Sequence, residues 1–124
     1  MASMKKLPDA EFEIMKIIWR NPSPITTLQI MDKLSPDRSW KPQTVLTMLV
    51  RLAEKGFLTS GRVGRERNYT SVIEEDDYMQ IEIEGFMDRY HGNSVGSLVK
   101  TLYDGAKLSE EEIKDLKNWL NERG

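Results

Sequence analysis

Apolar residues recur with a helical period through most of the chain, and the breaks in that period divide it into elements. Phe12, Met15 and Trp19, at i, i+3 and i+7, predict the buried stripe of a first helix that ends at Asn21-Pro22-Ser23-Pro24. Asp9 is the expected cap, its carboxylate placed to accept from the free amides of the opening turn. Thr26-x-x-Gln29 has the spacing of a capping box and opens a short second helix through Leu34, broken by Ser35-Pro36-Asp37. Pro42 suits the first position of a third helix, where its missing N–H would have no partner. That helix is expected to reach Lys55, with Gly56 as its left-handed stop.

The period then changes. Phe57-Leu58-Thr59 and Arg67-Asn68-Tyr69-Thr70-Ser71-Val72 read as two short strands around Arg62-Val63-Gly64-Arg65-Glu66, a hairpin with a basic tip. After the acidic helix start Glu74-Glu75-Asp76-Asp77 the pattern is helical to the end. Met79, Ile83, Phe86 and Tyr90 stripe a fourth helix, and Gly92-Asn93-Ser94 breaks and re-caps the chain. Val95, Leu98, Val99, Leu102 and Tyr103 stripe a fifth. Ser109-x-x-Glu112 is a capping box for a sixth, which carries Ile113, Leu116 and Leu120.

The expected fold is mostly α with a small β-hairpin. Residues 1–73 have the element order of a winged helix-turn-helix, and residues 74–124 form a three-helix C-terminal region. About 50 residues rarely enclose a core of their own. The tail therefore needs a second surface, and a second copy of the chain is favoured over folding back. The expected dimer interface is Met79, Ile83, Phe86, Tyr90, Val95, Leu98, Val99, Leu102, Ile113, Leu116 and Leu120.

Charge sharpens the division. Residues 1–73 hold 12 Lys and Arg against 7 Asp and Glu, net +5, whereas residues 74–124 hold 6 against 13, net −7. A polyanion is therefore the expected partner of the front half alone. On the third helix, at about 100° per residue, Val45, Met48, Leu49 and Leu52 share one side. Lys41, Gln43, Thr44, Thr47 and Arg51 occupy the opposite side or its N-terminal edge. Any surface helix is polar on one face, but threonine is a mediocre helix former, so two on an exposed face invite a reason. Glutamine can pair bidentately with adenine, and threonine offers a methyl to thymine and a hydroxyl to base or phosphate. Arg51 and Lys41 are expected to hold phosphates and set register. Arg62, Arg65 and Arg67 on the hairpin are placed to follow the backbone or enter the adjacent minor groove. Double-stranded DNA is the expected partner. The alternative is a winged helix that binds protein, for which a basic wing has no use.

Other classes are disfavoured. No nucleophile–base pair, phosphate-binding glycine loop or metal-ligand spacing points to an enzyme, and no cofactor or metal is expected. The absence of cysteine excludes thiolate sites and disulfides. No apolar run of about 18 residues is present, and no membrane insertion is expected. The first residues lack the apolar stretch of a signal peptide, so a cytoplasmic location is expected. Met1-Ala2-Ser3 reads as an expression scar before a natural start at Met4. His91 is read as an ordinary helix-end histidine and Glu74–Asp77 as a solvated helix start. Trp19 and Trp119 are assigned to core or interface packing, Tyr69 to packing, and Trp40 to packing or a phosphate-side contact.

Several stretches resemble the penicillinase repressor (BlaI/MecI-type) family over nearly the whole chain. They are Ala10–Trp19 (AEFEIMKIIW), Trp40-Lys41-Pro42-Gln43-Thr44-Val45, Thr47, Arg51-Leu52 and Lys55-Gly56-Phe57. In the tail come Ser97-Leu98-Val99 and Leu108–Ile113 (LSEEEI). The resemblance implies a repressor of inducible genes, antibiotic resistance among them, whose helical tails interlock on an operator of two inverted half-sites. It also implies a membrane metallopeptidase sensor that triggers cleavage of the tail. By position that bond is Thr101–Leu102, where the cleaved members have Asn-Phe. The changed pair leaves a ligand, a different cleavage or a partner protein as alternative release signals. Thiolate copper sensing, known in another branch, has no ligands here. Leu46 stands where resistance-branch members can carry arginine, which implies a different operator preference or one fewer phosphate contact.

Overall fold

The computed structural model describes residues 5–34 and 39–123. The expected break at Ser35-Pro36-Asp37 and the expected start at Met4 lie outside the described residues. The elements in order are α1 (Asp9–Trp19), β1 (Ile25–Thr26), α2 (Thr27–Lys33), α3 (Pro42–Glu54), β2 (Leu58–Val63), β3 (Glu66–Ser71), α4 (Glu75–Tyr90), α5 (Val95–Asp104) and α6 (Glu110–Arg123). The chain divides into two units, Met1–Glu82 and Ile83–Gly124, and α4 runs through the division.

In the first unit α3 packs on α1, α2 and β2. The core is aliphatic: Leu7, Ile14, Met15, Ile18, Ile25, Ile30, Val45, Leu49 and Leu52 are buried together with Phe57, Leu58, Tyr69 and Tyr78. Two expectations for α1 need correction. Its N-cap is Pro8, with no side-chain hydrogen bond, and Asp9 is already the first helical residue. Its fully buried face is Ile14, Met15 and Ile18, while Phe12 and Trp19 are half-buried on a neighbouring side. The reason is Tyr78, delivered by the first turn of α4. Its ring lies 5.4 Å from that of Phe12, 5.5 Å from Trp19 and 5.6 Å from Phe57. Such offset and tilted pairs are the preferred aromatic geometry.

Polar groups in this layer are matched. Trp19 Nε1 donates to Ile73 O at 2.8 Å and to Ser71 Oγ at 3.0 Å. Glu11, 4% exposed, receives Lys55 Nζ at 2.5 Å, so the start of α1 is ionically tied to the C-cap of α3. The capping box at Thr26 and Gln29 forms as expected and starts α2.

The hairpin is longer than the sequence pattern suggested, because β2 buries only Leu58 and shows no alternation along its remaining length. It is also part of a three-stranded antiparallel sheet in the order β1-β3-β2, in which Ile25 pairs with Tyr69 and Thr26 with Asn68. The turn is Gly64-Arg65 between the paired residues Val63 and Glu66, with Gly64 at φ 64°. A positive φ at the first of two turn residues is the requirement that glycine meets in a hairpin turn of the primed type.

The second unit is helical and thinly covered. Neither α5 nor α6 has a fully buried residue, and Ile83, Phe86, Tyr90, Val95, Tyr103, Leu116, Trp119 and Leu120 are exposed in the single chain. Ser94 caps α5 by accepting from Ser97 N at 3.1 Å. Ser109 Oγ accepts from Glu112 N, also at 3.1 Å, as the predicted capping box requires. Trp119 does not pack in a core here, and Arg123 lies over its ring at 5.0 Å. No helix is long and apolar enough to cross a membrane among the described residues.

Candidate nucleic-acid interface

The position of α3 follows from its sharply segregated sides. Val45, Met48, Leu49 and Leu52 are buried, anchoring the helix on α1 and α2. Pro42 takes the first helical position, and Gly56, at φ 85°, ends the helix so that Phe57 can turn back into the core. The Glu11–Lys55 ion pair fixes the same end. What these anchors leave outward is Lys41, Gln43, Thr44, Thr47 and Arg51, all exposed. Thr47 Oγ1 donates to the Gln43 carbonyl at 2.9 Å. Its hydroxyl proton is thereby committed to the preceding turn, and its methyl group and lone pairs remain available.

The wing brings three further cations out. Arg62, Arg65 and Arg67 are exposed, and none of them forms an ion pair among the described residues. Arg62 and Arg67 are direct cross-strand partners. Residues directly opposite in an antiparallel pair project from the same face, and like charges there repel. A polyanion relieves that repulsion, whereas water and salt only screen it. Tyr69, 3% exposed, is a core residue beneath the wing, and Trp40 packs half-buried against the core. The reading of Tyr69 as a packing group agrees with the structure, and of the two alternatives left for Trp40 the structure shows the packing contact.

The penicillinase repressor family profile matches residues 7–122. The chain belongs to the penicillinase repressor family. It is 39% identical over 122 residues to the penicillinase repressor of Bacillus licheniformis, covering 96% of this chain and 94% of that protein. It is 30% identical over 118 residues to the methicillin resistance regulatory protein MecI of Mammaliicoccus sciuri, covering 95% of each. The DNA-binding domain of the repressor BlaI in solution is 42% identical, with a TM-score of 0.54 over 63% of this chain and 94% of that chain. The Bacillus licheniformis BlaI monomeric form, solved in complex with the blaP half-operator, is also 42% identical, with a TM-score of 0.51 over the same shares.

Two features of the site escaped the sequence pattern. Val50, named on neither side of α3 by the sequence pattern, is 47% exposed on the outward side. The helical angle could have found it, since Val50 lies seven residues after Gln43 and three after Thr47. The Glu11–Lys55 pair, which positions the helix, joins residues 44 apart and has no local signature.

Proposed function

We propose that this chain is a dimeric transcriptional repressor that reads an inverted-repeat operator with α3 and clasps the adjoining backbone with the β2–β3 wing. The observation that carries this reading is the outward row Gln43, Thr44, Thr47 and Arg51, on a helix locked by its buried side, within a family of repressors. A relative solved on a half-operator is 42% identical and matches 63% of this chain. Gln43, Thr44 and Thr47 face base edges, and Lys41, Arg51 and the three wing arginines hold phosphates. Dimerisation uses Ile83, Phe86 and Tyr90 of α4 with the stripes of α5 and α6, because a short helical unit with this much exposed apolar surface has no core of its own. Met79, expected in the same stripe, packs against the core of the first unit instead. Two joined heads multiply a modest half-site affinity.

Release by a membrane metallopeptidase sensor is the finer part of the proposal. The bond it would cut, Thr101–Leu102, lies inside α5, where Thr101 Oγ1 also bonds Ser97 O at 3.0 Å. Cutting there requires local unwinding of the helix. A fragment ending at Thr101 in induced cells supports this route. An intact chain that has lost its DNA points instead to a ligand or partner.

Fluorescence anisotropy on a duplex enriched from a random pool, against a scrambled duplex, tests the main proposal. Strong preference for the enriched duplex at physiological salt is expected. Equal affinity for both overturns it, since phosphate-driven binding alone does not discriminate sequence.

A further inference from the structure

Among the apolar residues of α3, Val45, Met48, Leu49 and Leu52 are buried, whereas Val50 is 47% exposed on the outward side. It is not an isolated surface valine. Thr47 precedes it by three residues, which puts the two side chains about 5–6 Å apart on one helix face. Thr47 has turned its hydroxyl back to the Gln43 carbonyl, at 2.9 Å, so its methyl group is the part left to face outward. The result is a short apolar strip, Thr47 to Val50, beside the polar Gln43 and the cationic Arg51. In the major groove one group rewards such a strip, the C5-methyl of thymine.

We propose that Thr47 and Val50 read thymine methyl groups at neighbouring base pairs, and that Val50 is a specificity residue of this repressor. The inference rests on the proposed DNA-reading role of α3. Thr47 acts through its methyl group, and its hydroxyl serves the helix. Loss of one methyl contact should weaken binding about three- to five-fold, the worth of one buried methylene.

The test uses the full chain and the enriched duplex, with thymidine replaced by deoxyuridine one position at a time. Wild type is expected to lose about three- to five-fold at one or two thymines in each half-site. Val50→Ala should weaken binding to the thymidine duplex by a similar factor and lose its sensitivity to deoxyuridine at one of those positions. Thr47→Val should bind as wild type does, whereas Thr47→Ser, which keeps the hydroxyl, should lose the sensitivity at the other. Deoxyuridine duplexes bound as tightly as thymidine duplexes would overturn the inference while leaving the repressor reading intact. Full deoxyuridine sensitivity in Val50→Ala, or equal losses in Thr47→Val and Thr47→Ser, would also overturn it. No preference for any duplex would sink the repressor reading itself. Val50 and Thr47 are both exposed, and a urea unfolding midpoint equal to that of the wild type checks that each variant is folded.

Discussion

Replacing Tyr78 by phenylalanine removes a single oxygen atom from the place where α4 meets the N-terminal segment. That hydroxyl accepts from Leu7 N at 2.6 Å and donates to Glu82 Oε1 at 2.7 Å. Leu7 is 2% exposed and Tyr78 is wholly buried, so water cannot replace the lost acceptor. Phenylalanine fills the same space and keeps the contacts with Phe12, Trp19 and Phe57. The loss is therefore confined to hydrogen bonding, and an orphaned buried N–H costs about 1–3 kcal/mol. For a domain of this size that lowers Tm by a few degrees to about ten.

The substitution also carries a pH signature. Burial, the largest cause, raises the Tyr78 phenol above its ordinary pKa of 10.0, and the Glu82 carboxylate adds to the rise. Below pH 10 the phenol is neutral in both folded and unfolded chains and stability does not depend on it. Above pH 10 the unfolded chain releases the proton and the folded chain keeps it, so stability falls at up to ~1.4 kcal/mol per pH unit. The phenylalanine variant has no such proton. Urea unfolding of both proteins from pH 8 to pH 11 should show wild type more stable at pH 8, with the gap narrowing above pH 10. Equal stability at pH 8, or a gap that stays constant to pH 11, would refute the reasoning.

Lys55→Met leaves the buried Glu11 carboxylate without its partner and should cost about 1–3 kcal/mol by chemical denaturation, because the pair is open to solvent on the lysine side, whereas the double variant Glu11→Leu, Lys55→Met should recover most of that loss. An unrecovered loss would mean that the ion pair does more than neutralise itself. Arg51→Ala should weaken binding to enriched and scrambled duplexes alike and reduce the slope of log affinity against log salt by about one. A loss confined to the enriched duplex would make Arg51 a base reader instead. Phe86→Asp should shift the chain from dimer to monomer in sedimentation at micromolar concentration, since a carboxylate buried in the interface costs several kcal/mol. An unchanged dimer would place the interface elsewhere.

The third helix was readable from sequence because its two sides differ so sharply that a 100° step separates them without outside help. The first helix was not. Ile14, Ile17 and Ile18 join Phe12, Met15 and Trp19 to make it apolar on several sides, and local period cannot say which side faces which neighbour. The deciding neighbour, Tyr78, lies some sixty residues on, at the head of a helix whose acidic start suggests solvent. β1 is two residues long, below the length at which alternation registers, and exists because Ile25 and Thr26 pair with β3. On the candidate interface, residue types and spacing pointed to the polar row and the arginines. Val50 stayed hidden because only polar and cationic residue types signalled DNA contact, although its helical angle sets it beside Gln43 and Thr47. The opposition of Arg62 and Arg67 depends on a register that only the paired strands define.

The most direct measurement is the number of chains bound, and the affinity with which they bind, on three duplexes at physiological salt. These are an enriched inverted repeat, the same duplex with one half-site scrambled, and a fully scrambled control, read by anisotropy and sedimentation. Two chains should bind the inverted repeat, with affinity well above that for the single half-site and far above the control. One chain per duplex, or equal affinity for all three, would contradict a dimeric repressor that reads sequence through α3.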